Sequence, residues 1–196
     1  TRNVDEIAAD LGVAKAYRDE AALLADPEVE AVYIASPVNC HARQIQLAAA
    51  AGKHILCEKP LTMTLAESHA AVAACRRNKV FLQEGYMMKF HGAHQRIKEL
   101  IDAGKLGKLV YLRAQLSCWY PPIKGAWRQQ LKTGGGGALL DMATHLYDLL
   151  EHFAGPVKNI TARTGHLVQR YETEDASTTM LEFESGAHAT VDCFYC

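Results

Sequence analysis

The spacing of apolar residues changes character along this chain. Near the start it is short-range and helical: Asn3 is placed to cap a helix over Val4–Leu11 that Gly12 stops, and a second short helix runs over Glu20–Ala25 ahead of Asp26-Pro27. From Ala31 onward, apolar runs alternate with helical stretches. Ala31–Ala35 has the pattern of a buried strand, His41–Ala51 that of an alanine-rich helix stopped by Gly52, and His54–Cys57 that of the next strand. Thr64 and Glu67 form a capping box that opens a helix to about Arg77, and Val80–Gln83 is a third strand. Strand, helix, strand, helix, strand at this spacing predicts a parallel sheet covered by helices.

Past Tyr86 the texture differs. A helix over Ala93–Ala103 leads into a long strand, Leu109–Cys118, then a loop from Trp119 to Arg128, the run Gly134–Gly137 and a strong helix over Ala138–Phe153. Val157–Val168, Ala176–Glu184 and Ala187–Tyr195 read as antiparallel strands, the last two a hairpin about Ser185-Gly186. The chain therefore divides into an α/β half, residues 1–86, and an α+β half, residues 87–196.

Composition narrows the partners. With 49% hydrophobic and 22% charged residues the chain can bury a sizeable core, and a net charge of -1 with no Lys/Arg block gives no footprint for nucleic acid or a membrane surface. No apolar run reaches the length of a bilayer span, and Thr1–Asp5 has no signal-peptide pattern, so a cytoplasmic location is expected. The six cysteines lie scattered in apolar segments and read as small core residues of a reducing compartment. Cys193 and Cys196 form a CxxC pair, but their odd separation in a strand puts the thiols on opposite faces, and no second pair completes a zinc site. No metal is expected.

Candidate chemistry gathers at the strand ends. In an open parallel sheet, ligands bind beyond the carboxyl ends of the strands, and all three ends are polar: Ser36-Pro37-Val38-Asn39-Cys40-His41, Glu58-Lys59-Pro60 and Glu84-Gly85-Tyr86. Pro60 restricts Lys59 to an extended backbone or fixes a cis bond, so the ammonium is aimed; the plain alternative is a solvated charge pair. On the long helix, Asp141, His145, Asp148 and His152 form one polar stripe, which by itself reads as the wet face of an amphipathic helix. One turn apart near the helix entrance, Asp141 and His145 also make an orienting carboxylate and a titratable imidazole, and the preceding glycines let a backbone or ligand approach closely. Four ligands strung along one helix cannot converge on one metal ion. His91 and His94 read as surface or capping residues, His54 as a core hydrogen bonder. Trp127-Arg128 reads either as a stacking and clamping pair or as a packing anchor.

Taken in order, "VYIASPVNCH", "AGKHILCEKPL", "EGYMMKFH", "GKLGKLVYLRAQ", "GAWRQQ" and "GGGGALLDMATHLYDLL" resemble the Gfo/Idh/MocA oxidoreductases over essentially the whole chain. The resemblance implies an incomplete Rossmann-type parallel sheet followed by an α+β domain with a mostly antiparallel open sheet. It implies hydride transfer between NAD or NADP and a hydroxyl or carbonyl carbon of a sugar, polyol or related small molecule. Lys59 matches the family's catalytic lysine, with Asp141 and His145 as substrate-binding and proton-transfer partners and Tyr86 beside the substrate. Ser36, Pro37, Asn39, His41, Glu58, Lys59, Pro60 and the pair Trp127-Arg128 fall at positions facing the cofactor, and Arg2 near its ribose or a 2'-phosphate. A homo-oligomer through the C-terminal sheet is the family's expectation. Alternatives on the same scaffold are an NAD-dependent glycoside hydrolase and a non-catalytic regulatory relative. The sequence departs from the family at Lys89 and Gly92, where relatives often carry Arg and Pro, and it holds no strand-GxGxxG-helix unit. An internal piece of a longer enzyme is expected.

Overall fold

The computed structural model describes residues 3–196; the contact expected of Arg2 lies outside them. In the first half, β1 (Ala31–Ile34), β2 (His54–Cys57) and β3 (Leu82–Glu84) form a parallel sheet in the order β1-β2-β3. Four helices accompany it: α1 (Val4–Leu11), α2 (Glu20–Ala25), α3 (Val38–Ala50) and α4 (Leu65–Asn78). Asn3 caps α1, and Thr64 and Glu67 close the capping box of α4. Ile45, Ala48, Ala49, Ala71, Ala74 and Cys75 from α3 and α4 bury Ile34, Ile55 and Cys57, so small alanine faces seat both helices close on the strands.

Boundaries move at several elements: the strands expected over Leu109–Cys118 and Val157–Val168 span Tyr111–Ser117 and Val157–Gly165. Helix α3 begins at Val38, not His41, so Val38–His41 of the polar strand end form its first turn. β3 starts at Leu82, not Val80, because α4 ends with Lys79 in the left-handed region at φ 57° and the Val80 amide folds back to the Cys75 carbonyl at 3.1 Å.

The second half opens with α5 (Gly92–Asp102), which His91 caps by accepting from the Ala93 amide. Its sheet contains β4 (Tyr111–Ser117), β5 (Val157–Gly165), β6 (Ala176–Phe183) and β7 (His188–Phe194) in the order β4-β7-β6-β5, antiparallel except for the parallel pair β4–β7. Between β4 and β5 lie a single helical turn, α6 (Leu131–Gly134), and α7 (Thr144–Ala154). Leu146 and Leu150 of α7 pack on Leu181, Phe183, Val191, Cys193 and Tyr195 from the inner sheet face.

The continuous helix expected over Ala138–Phe153 is instead a π-helical turn, Leu139–Ala143, followed by α7. The widened turn carries Asp141, whose backbone carbonyl accepts from the Lys59 ammonium at 2.7 Å. The cysteine expectation also divides. Cys57, Cys75 and Cys193 are buried, Cys40 is half-buried, but Cys118 and Cys196 sit past strand ends and are exposed, so these two are not core residues.

Candidate active site

Lys59 is presented by a loop pinned at every step. The Glu58 amide donates to the Ile34 carbonyl at 2.8 Å, and the Glu58 carboxylate accepts from the Lys59 amide and from the Tyr33 hydroxyl. The Lys59-Pro60 bond is cis. The Pro60 carbonyl meets His41 Nδ1 at 3.0 Å, and the Leu61 amide donates to Glu84 at 2.8 Å. His41 Nε2 faces the Ser36 carbonyl at 2.8 Å, so this ring, 1% exposed, ties the ends of β1 and β2 together. Glu84 is largely enclosed, and burial raises its carboxyl pKa.

Opposite stands Asp141. Its Oδ1 accepts from Lys59 Nζ at 2.7 Å and from Arg128 Nε at 3.3 Å, and its Oδ2 accepts from the Tyr195 hydroxyl at 2.6 Å. Burial alone would raise its pKa; the Lys59 ammonium, the Tyr195 hydroxyl and the Arg128 guanidinium outweigh that and hold it below the usual carboxylate range. Burial, and after it the charge of Asp141, raises the pKa of the Tyr195 hydroxyl, which therefore stays a donor.

His145 lies one turn further on and is 8% exposed. Its Nδ1 is buried with no partner, and among the described residues no hydrogen bond reaches the ring. Burial, then the Lys59 charge, lowers its pKa, with Asp141, Glu58 and Asp148 pulling back only in part. A neutral imidazole with an unspent nitrogen can take up a proton from a ligand. The Tyr86 ring stands edge-on to it, centroids 5.7 Å apart, and burial raises the Tyr86 phenol pKa.

The polar stripe does not face water as the amphipathic pattern suggests. Asp141 meets Lys59, and Asp148 meets Lys89 Nζ at 2.7 Å, both partners coming from distant segments. Lys89, one of the two departures from the family pattern, thus has a definite partner. His54 accepts from the Phe81 amide, and His94 contacts the Met88 carbonyl.

Arg128 stacks on its neighbour Trp127, with Cζ 4.3 Å from the ring centroid, while its Nε turns to Asp141. The guanidinium thus packs on the indole and reaches the Asp141 carboxylate in one conformation. The glycine run serves backbone approach. A Cβ on Gly134 would lie 3.0 Å from the Arg128 backbone, and one on Gly137 only 1.8 Å from the Glu174 carbonyl oxygen. Ser36, Pro37 and Asn39 lie where α3 opens beyond β1; the helix has no side-chain cap, and the Cys40 amide donates to the Pro37 carbonyl at 2.9 Å.

Sequence reasoning missed Tyr195, Glu84 and Glu174. Tyr195 reads as one more inward strand residue, and its hydroxyl gives no periodic signal. Glu84 was visible as a polar strand end, but its role as acceptor for the Leu61 amide was not. Glu174 sits in a loop and reaches the helix entrance only in three dimensions.

A parallel α/β sheet presenting a lysine to a carboxylate and an imidazole from an α+β half has the two-part architecture of dinucleotide-dependent oxidoreductases. The family model described as an oxidoreductase family with an NAD-binding Rossmann fold matches residues 1–86, and that of the GFO/IDH/MocA C-terminal domain matches residues 94–196. The chain belongs to the Gfo/Idh/MocA oxidoreductase family.

It is 33% identical over 195 residues to the scyllo-inositol 2-dehydrogenase (NAD(+)) of Bacillus subtilis, covering 96% of this chain and 55% of that protein. It is 32% identical over 187 residues to the myo-inositol 2-dehydrogenase of Thermotoga maritima, covering 93% and 54%. Among solved structures, levoglucosan dehydrogenase in complex with NADH and levoglucosan is similar at TM-score 0.93 and 28% identity, covering 98% of this chain and 55% of that one. The chain spans about half the length of the relatives it matches.

Proposed function

We propose that this chain forms part of an NAD(P)-dependent oxidoreductase that moves hydride between the cofactor and a hydroxyl-bearing carbon of a sugar, polyol or related compound. Residues 1–86 serve as the cofactor half and residues 87–196 as the substrate half. The observation that carries the reading is the Lys59–Asp141 contact joining the two halves beside a buried imidazole with no internal partner. When bound, the nicotinamide supplies the hydride acceptor or donor.

The protein's own groups do the rest. The ends of β1 and β2, with Ser36, Pro37, Asn39 and Glu58, and the Trp127-Arg128 pair would hold the cofactor. Lys59, fixed by Asp141, orients and polarises the reacting oxygen. His145 exchanges the proton at its imidazole, since it is held neutral and its ring is free of internal bonds. Tyr86 closes one wall. The roles of Lys59 and His145 exchange in the reverse assignment, and the pH dependence of each variant separates the two.

A cytoplasmic site of action is part of this reading; among the described residues no helix is long and apolar enough to cross a membrane. The outer face of the second sheet exposes Tyr111 and Met180, and it is the surface through which copies of the chain would pair.

The test is NAD(P)H formation by the full-length protein with inositols and pyranose sugars, compared with Lys59→Met. Turnover by the parent and a loss of about 100-fold or more in the variant is expected. Release of an aryl leaving group without net NAD(P)H would point instead to the hydrolase chemistry, and a fully active Lys59→Met would sink the assignment.

A further inference from the structure

The groups around Asp141 come from three separate places: Arg128 from the loop before α6, Asp141 itself from the π-helical turn, and Tyr195 from the end of β7. Each is tied to one four-residue segment, Glu172–Thr173–Glu174–Asp175. On the Arg128 side, the Thr173 hydroxyl donates to the Arg128 carbonyl at 3.0 Å, the Glu172 amide donates to the Gln129 carbonyl at 3.2 Å, and the Glu172 carboxylate accepts from the Leu131 amide at 2.8 Å. Thr173 is fully buried.

Glu174 governs the Asp141 turn. Its carboxylate accepts from the Gly137 amide at 2.8 Å and from the Leu139 amide at 3.0 Å, while its carbonyl accepts from the Ala138 amide at 2.9 Å. Three successive amides at a helix entrance, groups that no helical carbonyl can satisfy, are thus met by one residue from elsewhere. The Asp141 amide in turn donates to the Gly137 carbonyl at 2.9 Å, so the position of Gly137 passes directly to Asp141.

Asp175 governs Tyr195. Its carbonyl accepts from the Tyr195 amide at 2.8 Å, and its buried carboxylate accepts from the amides of Leu167, Val168 and Gln169 at 2.7, 2.7 and 2.5 Å. Gln169 then donates from Nε2 to the Tyr195 carbonyl at 3.3 Å. Among the described residues, none of the four side chains is hydrogen-bonded to Lys59, Asp141 or His145.

We infer that Glu172–Asp175 is a template that sets Arg128, Asp141 and Tyr195 in register around the Lys59 ammonium, with Glu174 as the positioning residue for Asp141. Arg128, Asp141 and Tyr195 have no shared secondary structure, yet their hydrogen bonds fall at 2.6–3.3 Å on one carboxylate. Displacement of the turn by about 1 Å carries both Lys59 bonds, each 2.7 Å, out of hydrogen-bond range. Only its kinetic consequence rests on the oxidoreductase reading.

The experiment is competitive acetylation of the full-length protein with acetic anhydride, read by mass spectrometry at Lys59 and at Lys53. Lys53 serves as internal standard, since its ammonium is held by the Asp26 carbonyl at 2.8 Å in the same half as Lys59 and away from Glu174. Glu174→Ala, which removes both acceptor oxygens, should raise the Lys59:Lys53 labelling ratio about tenfold, the scale of a lost helix-entrance cap. Glu174→Gln keeps one acceptor and should give a smaller rise in the same direction; it also serves if the alanine variant does not fold.

An unchanged ratio in folded Glu174→Gln and Glu174→Ala overturns the inference. So does a parallel rise at both lysines, which marks general loosening. In an active preparation, Glu174→Gln should lower kcat while leaving the KM for the dinucleotide unchanged. If the parent protein turns over no hydroxyl substrate, the oxidoreductase reading fails while the labelling ratio still decides the positioning role.

Discussion

The loop at Lys59 and the turn at Asp141 meet at 2.7 Å, but they are built on different principles. The Lys59 loop is held by its sheet: the ends of β1, β2 and β3 supply Ser36, Glu58 and Glu84, and His41 from the first turn of α3 bridges them. The Asp141 turn is held by a segment far along the chain whose side chains, among the described residues, make no hydrogen bond to Lys59, Asp141 or His145. Parallel strand ends converge by construction, so a site half built there needs few extra devices. A site half built on an irregular helix entrance needs a dedicated one.

The sharpest way to break this comparison is at Gly137. Any Cβ there would meet the Glu174 carbonyl oxygen at 1.8 Å, so Gly137→Ala must push the template and the Asp141 turn apart. Overpacking of a closely fitted site costs about 1–3 kcal/mol, and contact with backbone places this case at the upper end. Thermal unfolding of the full-length protein should show it; a melting temperature within a degree of the parent's would mean the two backbones are not in contact.

A smaller loss is expected at the Lys59 loop. His41→Ala leaves the Ser36 and Pro60 carbonyls without their partner in a buried place, at a loss of about 2 kcal/mol. Because Glu58 and Glu84 still hold the loop, urea unfolding should remain cooperative and Lys59 labelling should rise less than in Glu174→Ala. A larger rise would reverse the ranking of the two supports.

The smallest effect belongs to Tyr195→Phe, about 1 kcal/mol for one hydrogen bond to a charged acceptor that retains two other partners. Its signature is in pH. Asp141 titrates below its ordinary value, so its contribution to stability is complete above about pH 4 and is lost as pH falls through the folded value. Removing the Tyr195 donor moves that folded value up. The stability gap between the two proteins should therefore be full at neutral pH and close as the pH falls through the folded values; a gap that stays constant through the whole acid titration of Asp141 would detach Tyr195 from it.

The Lys59 half was largely legible in the sequence. Apolar runs of four residues fix β1 and β2, polar residues crowd their ends, and the proline after Lys59 marks a backbone under constraint. The Asp141 half was legible in its residues but not in its geometry. Leucine spacing from 139 to 153 fits an α-helix, and nothing in that spacing announces a π-helical turn at its start, because the groups that meet the turn, Lys59 and Glu174, lie far from it along the chain. The same remoteness misled the reading of the polar stripe. Asp141 and Asp148 look solvent-facing on a helical projection until Lys59 and Lys89 arrive to pair with them. Glu174 and Asp175, an acidic pair in a loop, carry no local signal at all; their function exists only once the amides they accept have been brought to them.

The parallel pairing of β4 with β7 has a consequence for the order in which the molecule forms. Tyr111 lies against His188 and Ser117 against Phe194, so Arg128, Asp141, His145 and the whole template lie within the stretch of chain that this pairing closes. Contacts so distant along the chain come at a large loop-closure entropy and are made late. Tyr195 directly follows the closing strand, and its hydroxyl reaches Asp141 only when β7 has docked. Docking of β7 between β4 and β6 therefore also delivers the Tyr195 donor to the Asp141 carboxylate, so that this strand pairing and this contact of the site form together.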